Sequence, residues 1–308
     1  MAILPRLFRI GIDMLVRRAL LALFLPLSIA GAQRARECPS CAEWNAPHRP
    51  FRLHGDTYFV GTHGLSAILI TSPAGHVLID AALPESAPLI RANIEALGFR
   101  VRDVKLIVNS HAHFDHAGGV AELQRASGAR VLASAWSTEV MTRGKSVLGD
   151  PQYGTVLDYP AVRGVKAFDF GDTLRVGPIA IVPRATPGHT PGGTSWSWRS
   201  CEAGRCLDFV YADSQTPVSS DGFLYTKSAA YPGALADFER GHATLERLSC
   251  DVLITPHPTA SSLWERVAQN GETPAKSLVD RDGCKRYAAT ARRALAQRVA
   301  QERGDRAP

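Results

Sequence analysis

The sequence predicts an α/β protein built as a four-layer αββα sandwich. Three observations carry this: short apolar runs at strand spacing, helical periodicity between them, and a similar element order in the two halves. That order is strands, helix, strand, helix, then strands, helix, strand, helix. No linker or short-period repeat interrupts it. The 308 residues, 45% hydrophobic and 21% charged, suffice for a sizeable core.

Over residues 51–83 apolar runs alternate with turn residues. Strands are expected at 57–60, 66–70 and 76–80, with Ser72-Pro73-Ala74-Gly75 as the turn between the last two. This is the pattern of an antiparallel meander. Residues 85–97 carry apolar side chains at helical spacing and stop before Gly98. An apolar strand follows at 104–108, then a helix at 116–126, a strand at 130–133 and a helix at 136–141. A long loop spans 144–162. Strands are expected at 173–176, 179–183, 194–199 and 207–211, a helix at 234–248, a strand at 252–255 and a last helix at 281–302.

Residues 1–32 stand apart from the fold. Arg6, Arg9, Arg17 and Arg18 precede an apolar run from Ala19 to Ile29, and Ala30-Gly31-Ala32 supplies a small-x-small cleavage signal. This is the pattern of a secretory signal peptide cut after Ala32, which leaves residues 33–308 as the folded domain and places it in the periplasm. The run falls short of the roughly 20 residues a spanning helix needs, and Pro26 interrupts it. The leader holds four arginines and Asp13, so its removal lowers the formal charge from +6 to +3. No Lys/Arg run is interleaved with aromatics, which argues against a nucleic-acid partner. After cleavage no membrane contact is expected, and the chain is expected to be monomeric.

All six cysteines follow the leader, and an even count in an exported chain suggests disulfides. Cys201 and Cys206 flank an apparent hairpin turn and form the natural local pair. Cys250 with Cys284 would then close a longer loop, and Cys38 with Cys41 remain by elimination. The Cys38/Cys41 spacing also suits half of a four-cysteine zinc site, but there is no second CxxC, so the disulfide is preferred.

The densest chemistry lies in His111-Ala112-His113-Phe114-Asp115-His116, directly after the 104–108 strand. In extended backbone, residues two apart point the same way, so His111 and His113 can reach one ion. Asp115 and His116, around a bend, can face a second. His189, within Pro187-Gly188-His189-Thr190-Pro191-Gly192-Gly193, and His257, between Pro256 and Pro258, are ordinary turn histidines when taken alone. Beside the cluster they complete six ligands, the number two zinc ions need if each also holds water. Gly118-Gly119 is expected to let backbone and metals approach closely. His48, His54, His63, His76 and His242 lack partners at ligand spacing and are expected to be surface or hydrogen-bonded residues. The first expectation is therefore hydrolysis by a metal-bound hydroxide.

These segments resemble the metallo-β-lactamase superfamily, and most closely the third subclass of class B β-lactamases. The resemblance rests on HxHxDH, the Pro-Gly-His turn, the late strand-end histidine, Tyr211-Ala212-Asp213-Ser214-Gln215-Thr216-Pro217, Gly64-Leu65-Ser66-Ala67 and the Cys250/Cys284 spacing. It covers nearly all of residues 40–290. It implies two zinc ions sharing a hydroxide, the first on His111, His113 and His189, the second on Asp115, His116 and His257. Asp115 would also act catalytically by orienting the hydroxide. Other subclasses place a cysteine at the second zinc; none lies near Ser214, and His116 can take that place. By the same likeness Ser214 and Thr216 would bind the carboxylate of a small-molecule β-lactam, and Gln152 is a further candidate contact. The alternative within the fold is a glyoxalase II-type thioesterase or a lactonase. There a late carboxylate bridges both metals, and Asp213 is the candidate here.

Overall fold

Residues along each strand point alternately to opposite faces, and this chain uses both faces of both its sheets. The computed structural model describes residues 38–268 and 278–304; the leader expected over 1–32 lies outside them. In the first sheet β1 (Phe51–His54), β2 (Thr57–Phe59), β3 (Ile68–Ile70) and β4 (His76–Ile79) pair antiparallel in sequence order, as the meander predicts. β5 (Val104–Val108), β6 (Arg130–Ala133) and β7 (Lys166–Ala167) then add in parallel. β7 is two exposed residues, so no apolar run announced it. In the second sheet β8 (Leu174–Val176), β9 (Ile179–Ala185), β10 (Thr194–Glu202) and β11 (Arg205–Tyr211) are antiparallel, and β12 (Val252–Ile254) joins β11 in parallel.

Between β10 and β11 Glu202 pairs with Arg205, leaving a two-residue turn in which Ala203 and Gly204 have φ of 48° and 80°. Two positive φ values are what the tight turn matching strand twist requires. This turn sets Cys201 opposite Cys206. The sulfurs of Cys38 and Cys41, Cys201 and Cys206, and Cys250 and Cys284 all lie at disulfide distance.

The helices are α1 (Cys41–Trp44), α2 (Ala87–Ala96), α3 (Phe114–Ala117), α4 (Val120–Ser127), α5 (Ala135–Arg143), α6 (Ala234–Arg247), α7 (Leu263–Ala268) and α8 (Gly283–Arg303). One apolar cluster lies between the sheets: Ile68, Ile70, Ile79, Leu106 and Val108 meet Ile181, Trp196, Phe209 and Ile254. The intervening residues Leu69, Leu78 and Ile107 point the other way, onto Ile90, Ile94, Leu123 and Met141 of α2, α4 and α5. On the far side, Val210 and Leu253 pack on Leu245 of α6 and Ala288 of α8. The four layers of the αββα sandwich follow from these faces.

Two local expectations change. The helix expected over 116–126 is broken into α3 and α4 at Gly118-Gly119. A Cβ at Gly118 would lie 2.4 Å from Pro84 Cδ, and one at Gly119 2.4 Å from Ala81 O. The two glycines thus seat the helices against the backbone that follows β4, and close backbone approach is their role. His54 and His76 are buried and hydrogen-bonded, within the expectation, whereas His242 is buried and departs from it. His54 bonds the Arg205 carbonyl and His76 the Ser72 N–H, but neither ring nitrogen of His242 has a partner among the described residues.

The indole of Trp196 fills the space between the sheets, and its Nε1 donates to Asn109 O (3.1 Å), two residues before His111. Trp196→Ala is expected to lower stability by about 3–5 kcal/mol in urea unfolding followed by circular dichroism.

Candidate metal centre

The centre forms where strands of both sheets end on one edge. β5 runs into Asn109-Ser110-His111, the β9–β10 loop carries His189, β11 leads to Asp213 and Ser214, and β12 leads to His257. Hydrogen bonds across the sheets hold this edge. Thr194 N donates to Ser110 O (2.9 Å), and Ser66 N to Pro256 O (2.8 Å).

The rings of His111, His113 and His189 surround one point, with centroids 4.7, 4.8 and 5.2 Å apart. Beside them, Asp115 Oδ2 lies 3.2 Å from His116 Nε2 and 3.3 Å from His257 Nε2. The two sets touch through His111, whose ring centroid is 4.3 Å from that of His116. The structure thus brings together all six residues singled out in the sequence. Five are buried, and the His257 side chain remains 27% exposed.

Each ring of the first set has one nitrogen occupied from behind. Asp213 Oδ1 lies 2.7 Å from His111 Nδ1, Asp150 Oδ2 3.0 Å from His113 Nε2, and the Thr216 carbonyl 2.8 Å from His189 Nδ1. An acceptor there makes the facing nitrogen the N–H and leaves the other with a lone pair. Asp80 stands behind the second set, its Oδ2 4.0 Å from His116 Nδ1. Its carboxylate accepts from Ser110 N and Oγ (both 2.7 Å) and from the Tyr211 hydroxyl (2.8 Å). Asp80 adopts φ 59°, a left-handed conformation uncommon outside glycine, asparagine and aspartate.

The charge states of His111 and Asp115 suit a cation. Burial pushes the His111 imidazole well below its ordinary pKa, and His116, His113 and His189 push it further, so the ring is neutral. Burial alone would raise Asp115, but His116 and His257 beside it hold its carboxyl well below the usual range. His111 Nε2 is buried with no partner among the described residues. A buried acceptor left unpaired costs about 1–3 kcal/mol, and a metal ion would remove that cost. Three imidazoles in one set and two with a carboxylate in the other are donor sets that suit zinc.

The metallo-beta-lactamase superfamily model matches residues 60–260, which span the whole donor set. The chain belongs to the metallo-β-lactamase superfamily. Among solved structures, this metallo-β-lactamase fold is similar to the Rm3 metallo-beta-lactamase, with 52% identity, coverage of 87% of this chain and 99% of that one, and a TM-score of 0.85. It is also similar to MEM-A1, a subclass B3 metallo-beta-lactamase from a soil metagenome library, with 48% identity, coverage of 85% and 99%, and a TM-score of 0.83. Among curated proteins it resembles the hydroxyacylglutathione hydrolase of Bradyrhizobium sp. strain ORS 278, with 27% identity over 47% of each chain. The alignment therefore spans about half the length of that relative.

Other positions sort by geometry. Asp213 lies behind His111, with Oδ1 engaged by that ring, and not between the donor sets. Gln152 Nε2 lies 3.4 Å from His189 Nε2, Thr216 is tied to His189 through its carbonyl, and Ser214 is buried next to Asp213. Sequence reasoning missed Asp80 and Asp150 altogether. Asp150 comes from the long loop, where its other contacts, Ser146 Oγ and Gln152 N, also converge. The one available signal was the presence of two acidic residues near apolar or turn segments, which carries no spacing rule.

Asp213→Asn keeps the volume but replaces the carboxyl group behind His111 with an amide. It is expected to weaken metal binding at the three-histidine set about 10–100-fold in competition with a chromophoric chelator, without unfolding the protein.

Proposed function

We propose that this chain is a zinc-dependent β-lactamase that hydrolyses the amide of penicillins, cephalosporins and carbapenems and so confers resistance to them. The observation that carries the reading is the pair of adjacent donor sets, His111/His113/His189 and Asp115/His116/His257, on a fold that shares up to 52% identity with solved metallo-β-lactamases. Two zinc ions held there would supply Lewis acidity, polarising the lactam carbonyl and acidifying water.

The chain's own residues do the rest. The Asp115 carboxylate, kept ionised by His116 and His257, can accept a hydrogen bond from the attacking water and aim it. Ser214 and Thr216, on the segment fastened to His189, would bind the substrate carboxylate, and the Gln152 amide would reach the substrate from the opposite loop. The β-lactam then lies across rigid strand ends, which fixes its carbonyl against the attacking atom.

The thioesterase or lactonase alternative requires a carboxylate shared between the donor sets, and Asp213 is committed to His111 instead. The hydroxyacylglutathione hydrolase relatives support it only over partial alignments. The decisive experiment is nitrocefin and imipenem turnover by the purified protein. Turnover that EDTA abolishes and zinc restores is expected, with inhibitors aimed at an active-site serine having no effect. Thioester or lactone hydrolysis with neither β-lactam turned over would establish the alternative.

The paired cysteines and the leader support export to the periplasm, and no helix among the described residues is long and apolar enough to cross a membrane. Intact mass of protein recovered from a periplasmic extract should show a chain beginning at Gln33 and lacking three pairs of thiol hydrogens. A reduced mass or a retained leader would contradict this.

A further inference from the structure

Four of the five imidazole donors have a carboxylate or a carbonyl behind them. His257 differs. Its Nε2 faces Asp115, and no acceptor meets its Nδ1 among the described residues. Its backbone is fixed, since Pro256 O accepts from Ser66 N and His257 O from Thr255 Oγ1 (2.7 Å). Backbone alone does not set an imidazole plane, because the terminal torsion of histidine is broad. The ring instead packs on the indole of Trp44, with centroids 5.0 Å apart and planes inclined at 57°.

Trp44 is itself held firmly. It ends α1, the helix that follows the Cys38/Cys41 pair. Its carbonyl accepts from Thr62 Oγ1 (2.6 Å) and Gly64 N (3.2 Å), and its N–H donates to Ser40 O (2.8 Å). The next residues continue the seam. Asn45 Oδ1 accepts from Ser86 Oγ (2.7 Å), and Ala46 O accepts from His63 N (2.8 Å). The fit is close: a Cβ on Gly64 would lie 2.6 Å from Trp44 Cα and 2.8 Å from its Cδ1. A segment far from the ligands in sequence is thus fastened by side-chain and backbone bonds, and it presents one aromatic face to the least constrained ligand.

We propose that Trp44 is the positioning residue for His257, and that through this ring contact the N-terminal segment sets how tightly the second donor set holds its metal. The proposal rests on the reading that Asp115, His116 and His257 hold a metal. An aromatic face fixes the ring without contributing a proton acceptor. At His257 the second set therefore depends on packing, where the rings of the first set depend on buried carboxylates and a carbonyl.

The test is titration of metal-free protein with Co(II), and with Zn(II) against a chromophoric chelator, for the parent and for Trp44→Ala, Trp44→Phe and Gly64→Ala. The parent is expected to bind two ions. In Trp44→Ala the first ion should bind as in the parent and the second about 10–100-fold more weakly, with loss of the second ion's cobalt ligand-field bands. Trp44→Phe should restore most of the affinity. Gly64→Ala, which displaces the indole without deleting it, should weaken the second ion alone. Far-UV circular dichroism and the unfolding midpoint report the fold, and if Trp44→Ala does not fold, Gly64→Ala is judged on the same criterion.

Equal affinities in parent and variant would overturn the proposal. So would equal weakening of both ions, or a parent that binds only one. A rise in KM with unchanged metal binding would make Trp44 a cleft wall and would also overturn it. These readouts do not involve β-lactam turnover, so failure of the proposed activity is read separately from the nitrocefin assay.

Discussion

An imidazole that gives one nitrogen to a metal is oriented by an acceptor at its other nitrogen, and where the ring is buried that acceptor is best supplied by the chain itself. Much of this molecule follows from that constraint. His111, His113 and His189 are each buried and each backed, by Asp213, Asp150 and the Thr216 carbonyl respectively. The backing groups come from the segment that follows β11, which holds Asp213 and Thr216, and from the long loop after α5, which holds Asp150. The first donor set therefore exists only when two distant parts of the chain have closed on it.

The sandwich makes this possible through strand direction. β4 and β5 run parallel in one sheet, and β11 and β12 run parallel in the other. β9 and β11 both pair antiparallel with β10 and so share a direction. Their C-terminal ends therefore deliver Asp80, His111, His189, Asp213 and His257 to one edge. The core between the sheets, from Ile68 to Trp196 and Ile254, makes that edge rigid, and Trp196 ties the core to the site through Asn109. Burial has an electrostatic consequence as well. It keeps His111 neutral, while His116 and His257 keep Asp115 ionised, the protonation pattern a divalent cation requires.

The candidate ligands could be found in the sequence because metal geometry imposes short spacings. His111, His113, Asp115 and His116 must share one strand end and one turn, and the glycine and proline around His189 and His257 mark loops at further strand ends. The supporting residues were hidden for the opposite reason. His111 and Asp213 are 102 positions apart, and His113 and Asp150 are 37 apart. A single carboxylate behind a ring has no periodicity and no neighbour it must keep. Gly118-Gly119 illustrates the same limit: the glycines were evident, but their contact with Pro84 and Ala81 depends on how α3 and α4 settle on the chain after β4.

The linear pattern of this chain was enough for its αββα layering, its six donors and the family they resemble, because apolar periodicity and ligand spacing are local properties written residue by residue. It was not enough to place Asp213, which the sequence left as either a seventh donor or a bystander. Folding turned that carboxylate onto His111 Nδ1, and with it assigned Asp150 to His113 and Trp44 to His257. Those pairings depend on which distant segments meet when the two sheets close, and that is a property of the packed molecule.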